Sequence, residues 1–148
     1  MSLSHRLVVF NALTLRGLVA NDETEFHYEL AAFRAAFQGR RCRILLTNGI
    51  VNEYRLQSMQ APQFQLQPTL NVLLNNGRAI YFDDYRLNRS NVVLSGLPQE
   101  HRGFVDDAIA ARASYLITNR PAWLNLSPQT ENYGLQIVSP GRFIGLQG

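Results

Sequence analysis

The sequence predicts a three-layer α/β/α domain built on a central, mainly parallel sheet. The short unbroken apolar run Leu7–Phe10 suits a strand covered on both faces, and Cys42–Leu46 and Tyr115–Ile117 read as further short buried strands. The stretches between them repeat apolar residues every three or four positions, as helices with one buried stripe do. Strands and helices alternate along the chain, the pattern that parallel sheets require of their connections. The chain has 148 residues, of which 46% are hydrophobic and 17% charged, enough for one domain over residues 1–148 with a substantial core.

Taken in order, Leu7–Phe10 is the first strand. A turn near Asn21-Asp22 precedes a helix whose stripe is Phe26, Leu30, Phe33 and Phe37. Glu23, Glu25 and Glu29 favour its positive end, and Gly39 stands just past its stop. Cys42–Leu46 is the second strand, after which Thr47 or Asn48 can cap a helix bearing Ile50, Val51 and Tyr54. Ala61 to Pro68 is rich in Gln and Pro and reads as a connector. Leu70, Leu73 and Leu74 then suggest a short helix stopping at Asn75-Asn76-Gly77. Residues 78–97 hold Ala79-Ile80-Tyr81-Phe82 and Val92-Val93-Leu94, which fit either irregular strands or a helix and a strand. Phe104, Ala108, Ala111 and Arg112 share one side of a helix, and Tyr115–Ile117 is the strand after it. Pro121 suits the first position of a short helix holding Trp123 and Leu124. Leu135–Val138 is the last strand, and Ser139-Pro140 open a terminal helix with Phe143 and Ile144.

Composition excludes several classes. No apolar run reaches the ~18 residues of a membrane span. Residues 1–20 do not read as a secretory signal, because Arg16 falls inside the apolar stretch with no small-residue cleavage site after it. A lone Cys42 excludes an internal disulfide framework and a multi-cysteine zinc site, and is expected to be a buried small hydrophobe. A cytoplasmic protein without membrane attachment is expected. The net charge is +3, and all fourteen basic residues are arginine. Arginine's planar fork binds phosphate bidentately, which suits a nucleic-acid partner. A compositional bias explains the same count, since Arg40, Arg41 and Arg43 are the one tight cluster and complement a helix C-terminus there.

In parallel sheets ligands bind at the carboxyl ends of the strands. That points to Asn11, to Thr47 through Glu53, and to Thr118 through Arg120. The helix-strand block from Phe104 through Thr118 (FVDDAIAARASYLIT) follows the pattern of an alanine-rich helix entering an "ADYLVT" strand. With Arg6 to Leu18, Leu45 to Glu53 and Leu135 to Ile144, it resembles the PIN-domain family of metal-dependent ribonucleases over nearly the whole chain. More narrowly it is similar to toxin components of bacterial toxin–antitoxin pairs.

The resemblance implies four acidic residues holding one or two Mg²⁺ or Mn²⁺ ions that activate water for in-line displacement at phosphate. Matched residue by residue, the first-strand aspartate falls on Asn11 and the helix glutamate on Glu53. The acid three residues ahead of the helix phenylalanine falls on His101, with Glu100 beside it. The acid of the T-x-D pattern falls on Arg120, two residues after Thr118. Asn11 offers an oxygen without charge, and His101 suits Mn²⁺ or Zn²⁺ better than Mg²⁺. A fixed guanidinium ~5 Å from a divalent ion repels it by several kcal/mol at an effective dielectric of about 20.

Asn11, Glu53 and Glu100 are thus the candidate metal ligands, joined by His101 in the candidate catalytic set. Thr118 and Arg120 are the candidate phosphate contacts. Asp106 and Asp107 are expected on a solvated helix flank, with the cleft as the alternative; Asp83-Asp84 are expected in a solvated loop, and His5 and His27 at the surface. Trp123 is expected to cover the sheet end. Thr118 is expected to cap the next helix or bond within the cleft. The expected function is an RNA-binding or partner-binding module of weak or absent activity. The alternatives are an Mg²⁺- or Mn²⁺-dependent ribonuclease with a rearranged acidic site, and a purely structural protein. RNA, a cognate antitoxin protein and a second copy in a homodimer are the partners implied.

Overall fold

Runs rich in β-branched and aromatic residues, too short for a helix and apolar on both faces, become strands. The computed structural model describes residues 6–11, 42–59, 66–83, 87 and 99–147. Within them β1 (Arg6–Phe10), β2 (Cys42–Leu46), β3 (Ala79–Tyr81), β4 (Tyr115–Ile117) and β5 (Gln136–Val138) form one sheet in the order β3-β2-β1-β4-β5. Every pairing is parallel. The α/β class is as expected, and the described sheet is wholly rather than mainly parallel.

The helices are α1 (Asn48–Met59), α2 (Leu66–Asn75), α3 (Gln99–Ala110), α4 (Pro121–Leu124), α5 (Ser127–Thr130) and α6 (Pro140–Gln147), with a 3₁₀ turn at Glu131–Tyr133. The expected connector is shorter than the sequence suggests, because α2 already starts at Leu66. Pro68 stands in its first turn, where a missing N–H leaves no helical bond unmade. Ala79–Tyr81 resolves the first half of the ambiguous stretch as a strand. The expected helix through Phe26 and Phe37, the run Val92–Leu94, and Arg40, Arg41, His5, His27 and Asp84 lie outside the described residues.

One helix stop is used three times, each time just ahead of a strand. The backbone N–H of Arg78 donates to Leu73 O, and that of Gly77 to Leu74 O, before β3. Ala113 to Ala108 O and Arg112 to Ile109 O repeat the pattern before β4, and Leu135 to Thr130 O and Gly134 to Glu131 O before β5. This is the Schellman arrangement, which puts its penultimate residue in the left-handed region. Glycine fills that position at Gly77 (φ 70°) and Gly134 (φ 83°), whereas Arg112 (φ 60°) fills it with a side chain.

The core gathers both faces of the sheet. Val8, Val9, Phe10, Ile44, Leu45, Leu116 and Ile117 are fully buried, with Ile50, Tyr54, Trp123 and Phe143 packed around them. Among the described residues no helix is long and apolar enough to cross a membrane.

Candidate functional site

Strand register builds the site. Phe10 is level with Ile117, Ile117 with Val138, and Leu46 with Tyr81. The residues that follow these strands (Asn11, Thr47, Phe82, Thr118 and Ser139) therefore line one edge of the sheet, its carboxyl edge. The strand order reverses between β1 and β4, so Asn11 and Thr118 flank the switch point where such sheets bind ligands. The Asn11 backbone N–H donates to Ile117 O at 2.9 Å, and the Thr118 N–H to Val138 O at 3.0 Å, which carries the sheet ladder one step into the edge.

Polar side chains are buried here to an unusual degree. Asn11, Thr47, Glu53, Asp107 and Thr118 are all buried. Thr47 is the hub on the β2 side. Its Oγ1 accepts the Ile50 backbone N–H at 3.1 Å, which caps α1, and donates to Asp107 Oδ2 at 2.7 Å. One hydroxyl thus starts a helix and ties it to α3. Asp107 was expected on a solvated flank and is instead only 3% exposed. The correction has a simple cause: Asp107 lies one turn beyond Phe104, so it shares the inward face of α3 and meets Thr47 there.

An aromatic group underlies this polar layer. Tyr54 meets Phe104 edge-on at 6.0 Å between centroids, and Phe104 meets Trp123 at 5.3 Å. These contacts join α1, α3 and α4 and are worth about 0.5–1.5 kcal/mol each beyond burial. The Tyr54 hydroxyl donates to Phe10 O at 2.6 Å, which locks α1 onto the last residue of β1. Burial pushes the Tyr54 phenol far above its ordinary value. Glu53, one residue before Tyr54, is nearly buried on the same helix.

Arg120 is positioned from two sides. The Thr118 Oγ1 accepts the Arg120 backbone N–H at 3.1 Å, closing a tight turn directly after β4. The Arg120 guanidinium carbon stands 5.4 Å from the centre of the Trp123 ring, within cation–π range. Thr118 was expected to cap the next helix or bond within the cleft; the observed bond is this local turn, and no side chain caps α4. Arg120 itself occupies the cap position of α4, with Pro121 opening the helix and no side chain capping it. Trp123 is buried and packs on Phe104.

A hard cation such as Mg²⁺ takes six oxygens and favours carboxylates. Among the described residues no group of three or more His, Cys, Asp or Glu side chains could hold a metal ion. The described donors, Asn11, Glu53 and a Thr47-bound Asp107, do not by themselves fit the metal centre that the resemblance implies. Glu100 and His101 stand on the first turn of α3, and their side chains lie outside the described residues. The sequence favoured a solvated flank over the cleft for Asp107; its three-residue spacing from Phe104 was the signal for the inward face. Asp83 is exposed, as expected of a solvated acid. No family model and no curated protein sequence matches the chain.

Proposed function

We propose that this chain is a PIN-like domain that binds single-stranded RNA at the carboxyl edge of its sheet, with weak or absent nuclease activity. One observation carries the proposal: a neutral amide, Asn11, and a held guanidinium, Arg120, flank the strand-order switch where the resembling ribonucleases have carboxylates. A guanidinium held by Trp123 and the Thr118 turn loses little freedom on meeting a phosphate and pairs with it bidentately. It supplies at that edge the positive charge that metal ions supply in the resembling enzymes.

Anisotropy of a labelled single-stranded RNA in EDTA, over a series of salt concentrations, tests this. Binding without metal that weakens steeply with salt is expected, and Arg120→Ala flattens the slope by about one phosphate contact. Absent or salt-insensitive binding overturns the proposal. In this reading the domain works in the cytoplasm, with a second copy or an antitoxin protein as its protein partner; sedimentation and co-purification check both.

A specific observation favours a second reading, an active ribonuclease with rearranged acids. Glu53 and Asp107 are both buried, on helices α1 and α3 that pack together and are tied by Thr47. Cleavage of the same RNA with Mn²⁺ or Mg²⁺ that disappears in Glu53→Gln would establish it in place of the first.

A further inference from the structure

A groove opens on the same carboxyl edge, beyond β1 on the β2–β3 side. Leu46 and Tyr81, the last residues of β2 and β3, meet α1 and α2 there around a cavity of about 180 Å³. Leu70, Leu74 and Val51 make its apolar part, and Asn48, Asn52, Arg55 and Tyr81 its polar part. Drug-sized ligands occupy pockets of roughly 300 Å³ or more, so this one suits a single flat ring system rather than a whole ligand.

Its chemistry is selective. Tyr81 is 40% exposed, an aromatic ring left half in solvent at a strand end. Asn48 and Asn52 are four residues apart, hence on one face of α1, and both are exposed. Each amide offers a donor and an acceptor side by side, the pattern that pairs with a base edge. Among the described residues, Arg55 is the one charged side chain lining the groove. A half-exposed aromatic face, two amides on one helix face and a lining guanidinium are what a nucleotide asks for. From β4 to β3 is three strand spacings, so the groove lies about 14 Å along the edge from Arg120.

We infer that this groove is a base subsite: it takes one nucleobase of the single-stranded RNA, stacked on Tyr81 with its edge on Asn48 and Asn52, while Arg55 meets the adjoining phosphate. The subsite rests on the RNA-binding function proposed above, and extends it from phosphate attraction to recognition of a base.

The test is anisotropy with labelled oligoadenylate and oligouridylate on the full chain in EDTA, comparing wild type with Tyr81→Ala, Tyr81→Phe and Asn52→Ala. Tyr81→Ala is expected to weaken binding about 5- to 150-fold, the range for losing one stacked base. Tyr81→Phe keeps the ring and keeps the affinity. The salt slope stays that of wild type in Tyr81→Ala, since stacking releases no counterion, whereas Arg120→Ala lowers it. Asn52→Ala narrows the difference between the two oligomers. RNA binding that Tyr81→Ala leaves intact overturns the subsite and spares the proposed function. A wild-type protein that binds neither oligomer overturns both. A Tyr81→Ala chain with wild-type RNA affinity but a changed sedimentation coefficient identifies the groove as a protein-contact surface and likewise overturns the subsite.

Discussion

Thr47→Val removes one hydroxyl and leaves the shape of the side chain. Two bonds go with it: the 3.1 Å cap on the Ile50 N–H and the 2.7 Å bond to Asp107. Losing a threonine N-cap costs about 1 kcal/mol, and losing a buried hydrogen bond to a charged acceptor about 1.5–3 kcal/mol. Thr47 is fully buried and Asp107 3% exposed, so water cannot replace the lost donor. The sum is about 3 kcal/mol, or a fall of roughly 6–12 °C in Tm for a domain of this size. Urea unfolding followed by tryptophan fluorescence measures it, because Trp123 is the chain's one tryptophan and sits in the same packed layer. Thr47→Ser keeps both bonds and should cost well under half as much. A double-mutant cycle with Asp107→Ala isolates the pair and should give a coupling of about 1.5–3 kcal/mol. A Thr47→Val protein within about 0.5 kcal/mol of wild type, the range of ordinary surface substitutions, would refute the hub role.

Other outcomes follow from the same contacts. The Tyr54 phenol is raised in the folded state, so its contribution to stability is complete below the unfolded value near 10 and is lost as pH climbs towards the folded one. Between pH 9 and 11 wild type should therefore lose about 1.4 kcal/mol more than Tyr54→Phe, and equal losses in urea titrations would contradict the burial of the phenol. Arg112→Gly should stabilise the chain by about 0.5–1 kcal/mol, because a side chain is replaced at a left-handed helix stop; a lower Tm would count against that strain. Burial raises the Cys42 thiol more than nearby Arg6 lowers it. Cys42 should resist a thiol reagent at pH 8 in the native protein and react on unfolding, and rapid native labelling would show that the start of β2 opens.

The sequence by itself determined the elements, because their causes are local. β2 and β4 were legible with their observed bounds, and β1 to within one residue, since each is a short, mostly apolar segment next to a clearly helical stripe. Gly77 announced the end of α2 because a left-handed stop favours glycine, and Pro121 announced α4 because its fixed φ suits a first turn. The same stop at Arg112 was not legible, because arginine does not favour the left-handed region it occupies there. Asn11, Thr47 and Thr118 could be placed at strand ends from the order of elements alone. The tertiary structure decided the rest. Alternation of strands and helices is compatible with many strand orders, and only the pairing of β1 with both β2 and β4 put Asn11 and Arg120 on either side of one switch point. It also decided between two adjacent, chemically identical aspartates, burying Asp107 against a hydroxyl 60 residues away. A carboxylate's role depends on the partner it meets, and that partner is fixed by how distant helices pack, which residue type and spacing do not encode.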